Sequence, residues 1–255
     1  MSTLQESVVQ VPYHIRHTET VGAGLSSWVH RLDAVVKCYM SDRGDERKRE
    51  IAVYERLASD AIWHNGIMRY YGVLDEKSVV LQFAPNGSIR QYLGRGLHVP
   101  LSTKLRWAEQ ATDAIAFLHS KGIFHCDISC NNIFLDQDLN AMVGDFAGSA
   151  LDQEQCLSWY ETSHSHPDTE DPSAKSEAFA LGSAFYEILV EKRPFEGTDE
   201  CTIEKEIRCG RFPDLEQLPA LKDAITKCWN QQYDSIDELL QDVKQGETSA
   251  WTMVY

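Results

Sequence analysis

The chain has 255 residues, 43% of them hydrophobic and 25% charged, which excludes a disordered or collagen-like polymer and allows a buried core. Lys and Arg total 24 against 39 Asp and Glu, a formal net charge of −15. That balance argues against a nucleic-acid footprint or an anionic membrane surface, which want basic patches, and is compatible with basic peptide partners.

From Tyr13 to Phe83 the apolar runs are short and β-rich: Ala34-Val35-Val36, Ile67 to Val73 and Ser78 to Phe83. Turn residues such as Gly22, Gly24 and Asp75-Glu76 bound them, so they read as strands. One helix interrupts them, Glu46 to Leu57, with Ile51, Tyr54 and Leu57 on one face. After Asn86-Gly87 the pattern turns helical. Ser102 to Ser120 repeats apolar residues every three or four positions, with Ser102 as its expected N-cap. Gly122 to Ala150 follows, short apolar runs studded with Asp, Asn and His, and then the polar stretch Leu151 to Pro172. Ser173 to Val190 is apolar nearly all round, as a helix buried through a core is. Leu218 to Trp229 and Asp234 to Val243 read as shorter amphipathic helices. The expected fold is α+β and bilobal, with a small β-rich lobe carrying one helix, a larger helical lobe and a cleft between them. Its expected extent is 13–246, with lobes at about 13–83 and 86–246 and short tails at 1–12 and 247–255.

The seven cysteines form no framework spacing, which suggests reduced thiols and a cytoplasmic or nuclear setting. Met1 to Gln10 lacks the basic and apolar regions of a signal peptide. No uncharged apolar run reaches the ~18 residues of a membrane span.

The strongest chemical signal is His125-Cys126-Asp127-Ile128-Ser129-Cys130-Asn131-Asn132, with Gly144-Asp145-Phe146-Ala147-Gly148 downstream. Two carboxylates and an amide beside short apolar runs suit a Mg-nucleotide site, because Mg²⁺ takes hard oxygen ligands and keeps waters. A further Asp can accept a proton from an attacking hydroxyl. Taken singly, Lys37 or Glu50 reads as a solvated charge, Asp145 as a turn residue and His125 as a packed core residue. Paired C-x₂-C or H-x₃-H spacing is missing around Cys130, Cys156, His164 and His166, so zinc is not expected.

Together these residues resemble the eukaryotic protein kinase family, whose signatures are H-R-D-L-x-x-x-N and D-F-G. The resemblance implies ATP and Mg as cofactors, Asp127 as catalytic base, and Asn132 and Asp145 as metal ligands. Val21-Gly22-Ala23-Gly24-Leu25-Ser26-Ser27-Trp28-Val29 is similar to the family's Gly-rich loop, with Ser27 for the third glycine, which assigns Gly22, Gly24 and Val29 to the nucleotide. Ala34-Val35-Val36-Lys37 resembles V-A-I-K, so Lys37 would meet the phosphates with Glu50 as its ion-pair partner, Glu46 and Glu55 being fallbacks. Leu81-Gln82-Phe83-Ala84 resembles the hinge between lobes. Backbone groups of Gln82 and Ala84 would bond the adenine, with Val35 above it and Phe134 below.

Departures accompany the matches. Cys126 replaces the Arg that usually pairs with a phosphate on the activation segment, and no Arg or Lys lies in Leu151 to Pro172. Ser129 replaces the lysine that contacts the γ-phosphate, and Ala147 replaces the glycine of D-F-G. His166-Pro167-Asp168 stands for A-P-E and Glu177 for an Asp in the buried helix. The Arg expected after Trp229 is missing, so the ion pair between that Arg and the A-P-E glutamate is expected to be lost. The resulting expectation is a compact, divergent kinase, similar to fungal kinase-like proteins, that phosphorylates Ser or Thr on a protein substrate without needing activation-segment phosphorylation. The alternatives are a pseudokinase acting as a binding module and, further off, a small-molecule kinase of the aminoglycoside type.

Overall fold

Turn-bounded runs of β-branched residues build the sheet seen in the computed structural model, which describes residues 20–23, 28–30, 32–59, 63–152, 154–169 and 172–252. Strands β1 (Thr20–Ala23) and β2 (Trp28–His30) pair antiparallel, Gly22 opposite Val29. Strands β3 (Ala34–Cys38), β4 (Tyr70–Asp75) and β5 (Ser78–Gln82) form an antiparallel sheet in the order β3-β5-β4. Central β5 is buried from Ser78 to Leu81, while Val35 and Val36 of β3 stay exposed. Helix α1 (Gly44–Leu57) turns Glu50, Val53, Tyr54 and Leu57 inward, one face at i, i+3, i+4 and i+7.

The larger lobe is helical. Helix α2 (Ile89–Leu93) starts with a capping box between Ser88 and Gln91, and the preceding Gly87 holds a left-handed φ of 70°. Helix α3 (Leu101–Ser120) leads into β6 (Ile123–Phe124), then β7 (Ile133–Leu135), β8 (Ala141–Val143) and β9 (Ala150–Leu151). Strand β6 pairs with β9 and β7 with β8. After a 3₁₀ turn at Thr162–His164 comes α4 (Ala174–Val190), then α5 (Glu200–Arg208), α6 (Lys222–Trp229) and α7 (Ile236–Thr252).

Helix α4 is the axis of this lobe. Ala178 to Ala184, Phe185, Ile188 and Leu189 are all buried, and each large side chain contributes about 1.5–3 kcal/mol by leaving water. A Cβ on Gly182 would stand 2.5 Å from Cys228 Cβ, so only glycine lets α6 approach this closely. Polar pins complete the contact: Trp229 Nε1 donates to Ser183 Oγ at 3.0 Å, and Ser183 Oγ donates to the Ser163 carbonyl at 2.8 Å.

Several expected boundaries shift. Pro100, not Ser102, occupies the cap position of α3; its fixed φ suits the entry to a helix, and Ser102 lies inside the first turn. The expected helix from Leu218 begins only at Lys222, because Pro219 disfavours helical geometry at Leu218 and Leu221 takes a left-handed φ of 58°. Ile67 makes an isolated parallel bridge with Val143 instead of joining β4. Helix α7 starts later than Asp234 and runs past Val243, and α1 begins at Gly44. Ile51, expected on the buried face of α1, is half-buried.

Candidate active site

Local hairpin geometry sets the lower half of the site. Ile133 pairs with Val143 across β7 and β8, which brings Asn132 beside Gly144, and Gly144 N–H donates to the Asn132 carbonyl at 3.0 Å. Asn132 and Asp145 therefore flank the mouth of one hairpin. Asn132 Nδ2 donates to the Asp127 carbonyl at 2.7 Å, closing the loop that carries Asp127. Burial pushes the Asp127 carboxyl up to about 6, against the lowering pull of His125 and Asn132. His125 is buried; its Nε2 bonds the Gly144 carbonyl at 3.0 Å and its ring lies 5.3 Å from that of Phe146. It packs the loop, as read from the sequence.

Cys126 and Asp145 both hold left-handed φ values, 65° and 64°. For residues with a side chain that region costs roughly 1–2 kcal/mol, so each is fixed by its surroundings. Cys126 N–H donates to Glu177 Oε1 at 2.9 Å. Phe146 N–H donates to Glu50 Oε1 at 3.1 Å, which holds the peptide just after Asp145. Glu177 is fully buried and also receives His119 Nε2 and the Tyr160 hydroxyl, each at 2.9 Å. Burial alone would raise its carboxyl, but the His119 hydrogen bond and charge lead the groups that hold it below the ordinary range.

The upper half comes from β3 and α1. Lys37 Nζ lies 2.9 and 3.1 Å from the two Glu50 oxygens and 2.7 Å from Asp145 Oδ1. Burial disfavours the Lys37 ammonium, but Glu50 and Asp145 outweigh it and hold its pKa above the usual value. The carboxylates respond differently. Burial wins at Glu50, which is fully buried, and raises it; at the part-exposed Asp145 the Lys37 charge wins and lowers it. Of the fallbacks, Glu46 pairs with Arg43 at 2.7 Å, and Glu55 is exposed.

The crossing between lobes is tied down on both sides. Gln82 N–H donates to the Arg69 carbonyl at 2.8 Å and Phe83 N–H to the Asp33 carbonyl at 3.1 Å. The Ala84 carbonyl accepts from Gly87 at 3.0 Å, and Leu135 N–H donates to the Gly87 carbonyl at 2.8 Å. Phe134 is half-buried in the same hairpin, and Val35 is 39% exposed on β3. Gly22 and Val29 face one another across β1 and β2; Gly24 lies outside the described residues.

A family model of the protein kinase domain matches residues 17–249. The chain belongs to the protein kinase family. It is 31% identical over 196 residues to a CBL-interacting protein kinase 25 of Oryza sativa subsp. japonica, covering 67% of this chain and 37% of that one. It is 26% identical over 180 residues to the cell cycle serine/threonine-protein kinase CDC5/MSD2 of Saccharomyces cerevisiae, covering 66% and 25%. A serine/threonine/tyrosine-protein kinase HT1 of Arabidopsis thaliana is 27% identical over 203 residues, covering 72% and 50%. The matched part is thus at most half the length of each of these three relatives.

Within this kinase domain, two cations missed in the sequence hold the segment after Asp145. Arg49 donates through Nη1 to the Ser149 carbonyl and, at 2.9 Å, to the Gln155 carbonyl; its Nη2 pairs with Glu154 at 2.9 Å. Arg56 grips Asp152 with two bonds of 2.7 and 2.8 Å. Their seven-residue spacing, two helical turns, puts them on one face of α1 next to Glu50 and was the available signal. The expectation that this segment meets no cation is therefore corrected: α1 supplies what Cys126 does not. Nor is Asp168 left unpaired, because it meets Arg208 of α5 at 3.0 Å, in the open. Two further contacts had no sequence signal. The Tyr39 hydroxyl donates to Glu50 Oε2 while its ring lies 5.2 Å from Lys37 Nζ. Arg90 binds Glu187 through Nε and Nη2 at 2.6 and 2.8 Å, and its Nη1 and Nη2 reach Glu161 at 2.5 and 3.1 Å.

Proposed function

We propose that this kinase domain is an active enzyme that transfers the γ-phosphoryl group of Mg-ATP to a Ser or Thr hydroxyl of a protein. One observation carries the reading: the continuous Glu50–Lys37–Asp145 linkage, formed between two lobes, with Asn132 and Asp127 tied to the same hairpin. The donor set fits the metal. Asn132 commits its amide nitrogen to Asp127, leaving its oxygen to ligate beside the Asp145 carboxylate. Bound Mg²⁺ would neutralise charge on the phosphate oxygens. Lys37, oriented by Glu50, would hold the α- and β-phosphates, and the backbone of Gln82 and Ala84 would hold the adenine between Val35 and Phe134. Gly22, Gly24 and Val29 would cover the phosphates. Asp127 would accept a hydrogen bond from the hydroxyl, orient it and take its proton.

The net charge of −15 favours basic protein substrates. The acidic pair Glu161 and Glu187 does not carry that preference, because Arg90 already occupies it. No described helix is long and apolar enough to cross a membrane, and all seven cysteines are free, in keeping with a cytoplasmic or nuclear setting.

A second reading, a pseudokinase used as a binding module, draws on Ser129. Its buried hydroxyl accepts from Asn131 N–H at 3.3 Å and offers no cation where the family's lysine stands. The deciding experiment compares Mg-ATP thermal shift with phosphotransfer to a basic protein, for the parent and for Asp127→Asn. An active enzyme loses ~10²–10⁴-fold of its transfer in the variant while keeping ATP binding. Binding without transfer in the parent selects the pseudokinase, and transfer to an aminoglycoside alone selects the small-molecule kinase.

A further inference from the structure

Two thiols meet where the loop carrying Asp127 touches the segment after Asp145. Pairing of Phe124 with Ala150 across β6 and β9 lays that segment along the start of the loop. Ser149 Oγ donates to the His125 carbonyl at 3.2 Å, one residue before Cys126. Leu157 N–H donates to the Gly148 carbonyl at 2.9 Å, and Arg49 Nη1 touches the carbonyls of both Ser149 and Gln155. The chain therefore folds back, and residues 155–157 lie against residues 148–150. Cys126 is wholly buried there, its thiol 3.5 Å from the Phe124 carbonyl; Cys156 is half-buried. The Cys156 side chain is among the groups that raise the Cys126 thiol, after burial and Glu177. The five cysteines outside this contact are Cys38, Cys201 and Cys209, all exposed, the buried Cys228, and the buried Cys130, whose thiol is turned to the Ala184 carbonyl of α4.

We propose that Cys126 and Cys156 are a reversible modification site, forming a disulfide under peroxide that fastens the activation segment to the loop of Asp127. The link would join the same two segments that an arginine and a phosphate would join in the resembling family. The Cys156 thiol gives its proton to solvent and the thiolate attacks one peroxide oxygen; the O–O bond breaks, and a sulfenic acid and hydroxide result, the hydroxide taking up the released proton as water. The Cys126 sulfur then attacks the Cys156 sulfur; the S–O bond breaks, and hydroxide leaves with the Cys126 proton as water. Two thiols and one hydrogen peroxide become one disulfide and two waters, and a dithiol reductant reverses the step by exchange. Burial, with Glu177 adding, keeps Cys126 protonated, so its step is the slow one.

Such a link forms whether or not the domain transfers phosphate, and it is read in the covalent structure. The reduced full chain is treated with hydrogen peroxide, alkylated and digested. No Lys or Arg lies between Gly122 and Ala174, so cleavage at aspartates is used; Asp127 then separates Cys126 from Cys130. The expected result is a Cys126–Cys156 linked peptide two hydrogens lighter than its parts, released by dithiothreitol and lost in Cys156→Ser. Oxidised protein is also cut more slowly by chymotrypsin after the exposed Leu157 and Trp159, and Cys156→Ser removes that protection even if Cys126→Ser fails to fold. Oxidation of Cys156 to a sulfinic acid without a link, or links confined to Cys38, Cys201 and Cys209, would overturn it.

Discussion

His164 gives the domain an acid-sensitive core. It is wholly buried in the 3₁₀ turn, its Nδ1 bonded to Ser163 Oγ at 3.1 Å and its Nε2 without a hydrogen-bond partner. Burial lowers its pKa to about 4; Glu161 opposes the shift, and Arg90 and Arg193 reinforce it. The charged groups facing it are Glu161 at 3.8 Å, Glu187 at 4.0 Å and the two arginines. The folded value lies below the unfolded one, so the unfolded chain binds more protons between about pH 4 and 6.5, and stability falls as pH falls through that window. With those two values linkage predicts a loss of about 2 kcal/mol at pH 5 relative to neutrality, rising to ~3 kcal/mol once pH is below 4. The assay is urea unfolding of the parent and of His164→Gln at pH 7.5 and 5.0. The variant carries no titrating ring, so its stability should drop by about 2 kcal/mol less than that of the parent over this interval. Equal drops would refute the burial argument. A smaller drop in the parent would mean that Glu161 and Glu187 prevail and charge the ring.

Asp145→Ala is expected to lose Mg-dependent nucleotide binding more than Asn132→Ala, since a carboxylate holds Mg²⁺ more strongly than an amide oxygen; MgATP titrations of both variants check the order. Phosphatase treatment, verified by mass, should leave the transfer rate unchanged, because Arg49 and Arg56 already engage carbonyls, Glu154 and Asp152. A large loss restored by rephosphorylation within Ser149 to Ser165 would contradict this. Gly182→Ala should destabilise the fold by about 1–3 kcal/mol through overpacking against Cys228, read as a lower urea midpoint at unchanged slope.

The readable parts of this sequence were those with a local rule. The turn-bounded apolar run Ser78 to Phe83 marked β5 and the nearly all-round apolar run marked α4, whereas the short α2, capped by Ser88, carried no expectation. The chemical groups sat in short motifs, and the structure brings Lys37, Glu50 and Asp145 into contact. Arg49 and Arg56 escaped notice because their partners lie about a hundred residues away, a separation with no periodic trace. Arg90 with Glu161 and Glu187 escaped for the same reason; Tyr39 and Glu50, only 11 residues apart, lie on either side of the turn between β3 and α1, where no period links them. Ser102 misled because a hydroxyl near a helix start resembles a cap even where a proline one residue before that start already fixes the entry.

Helix α4 contributes no group to the chemistry, yet four ties run from it: Glu177 to Cys126 and Tyr160, Glu187 to Arg90, and Ser183 to Ser163. The loop of Asp127 and the far end of the activation segment are therefore parts of one cooperative unit with the core of the large lobe, whereas β3, with Val35 and Val36 exposed, belongs to a thinner layer that can open alone. A substitution deep in α4 would thus be read out as a defect in catalysis before it is read out as unfolding, and one in β3 as a defect in nucleotide affinity with the large lobe intact.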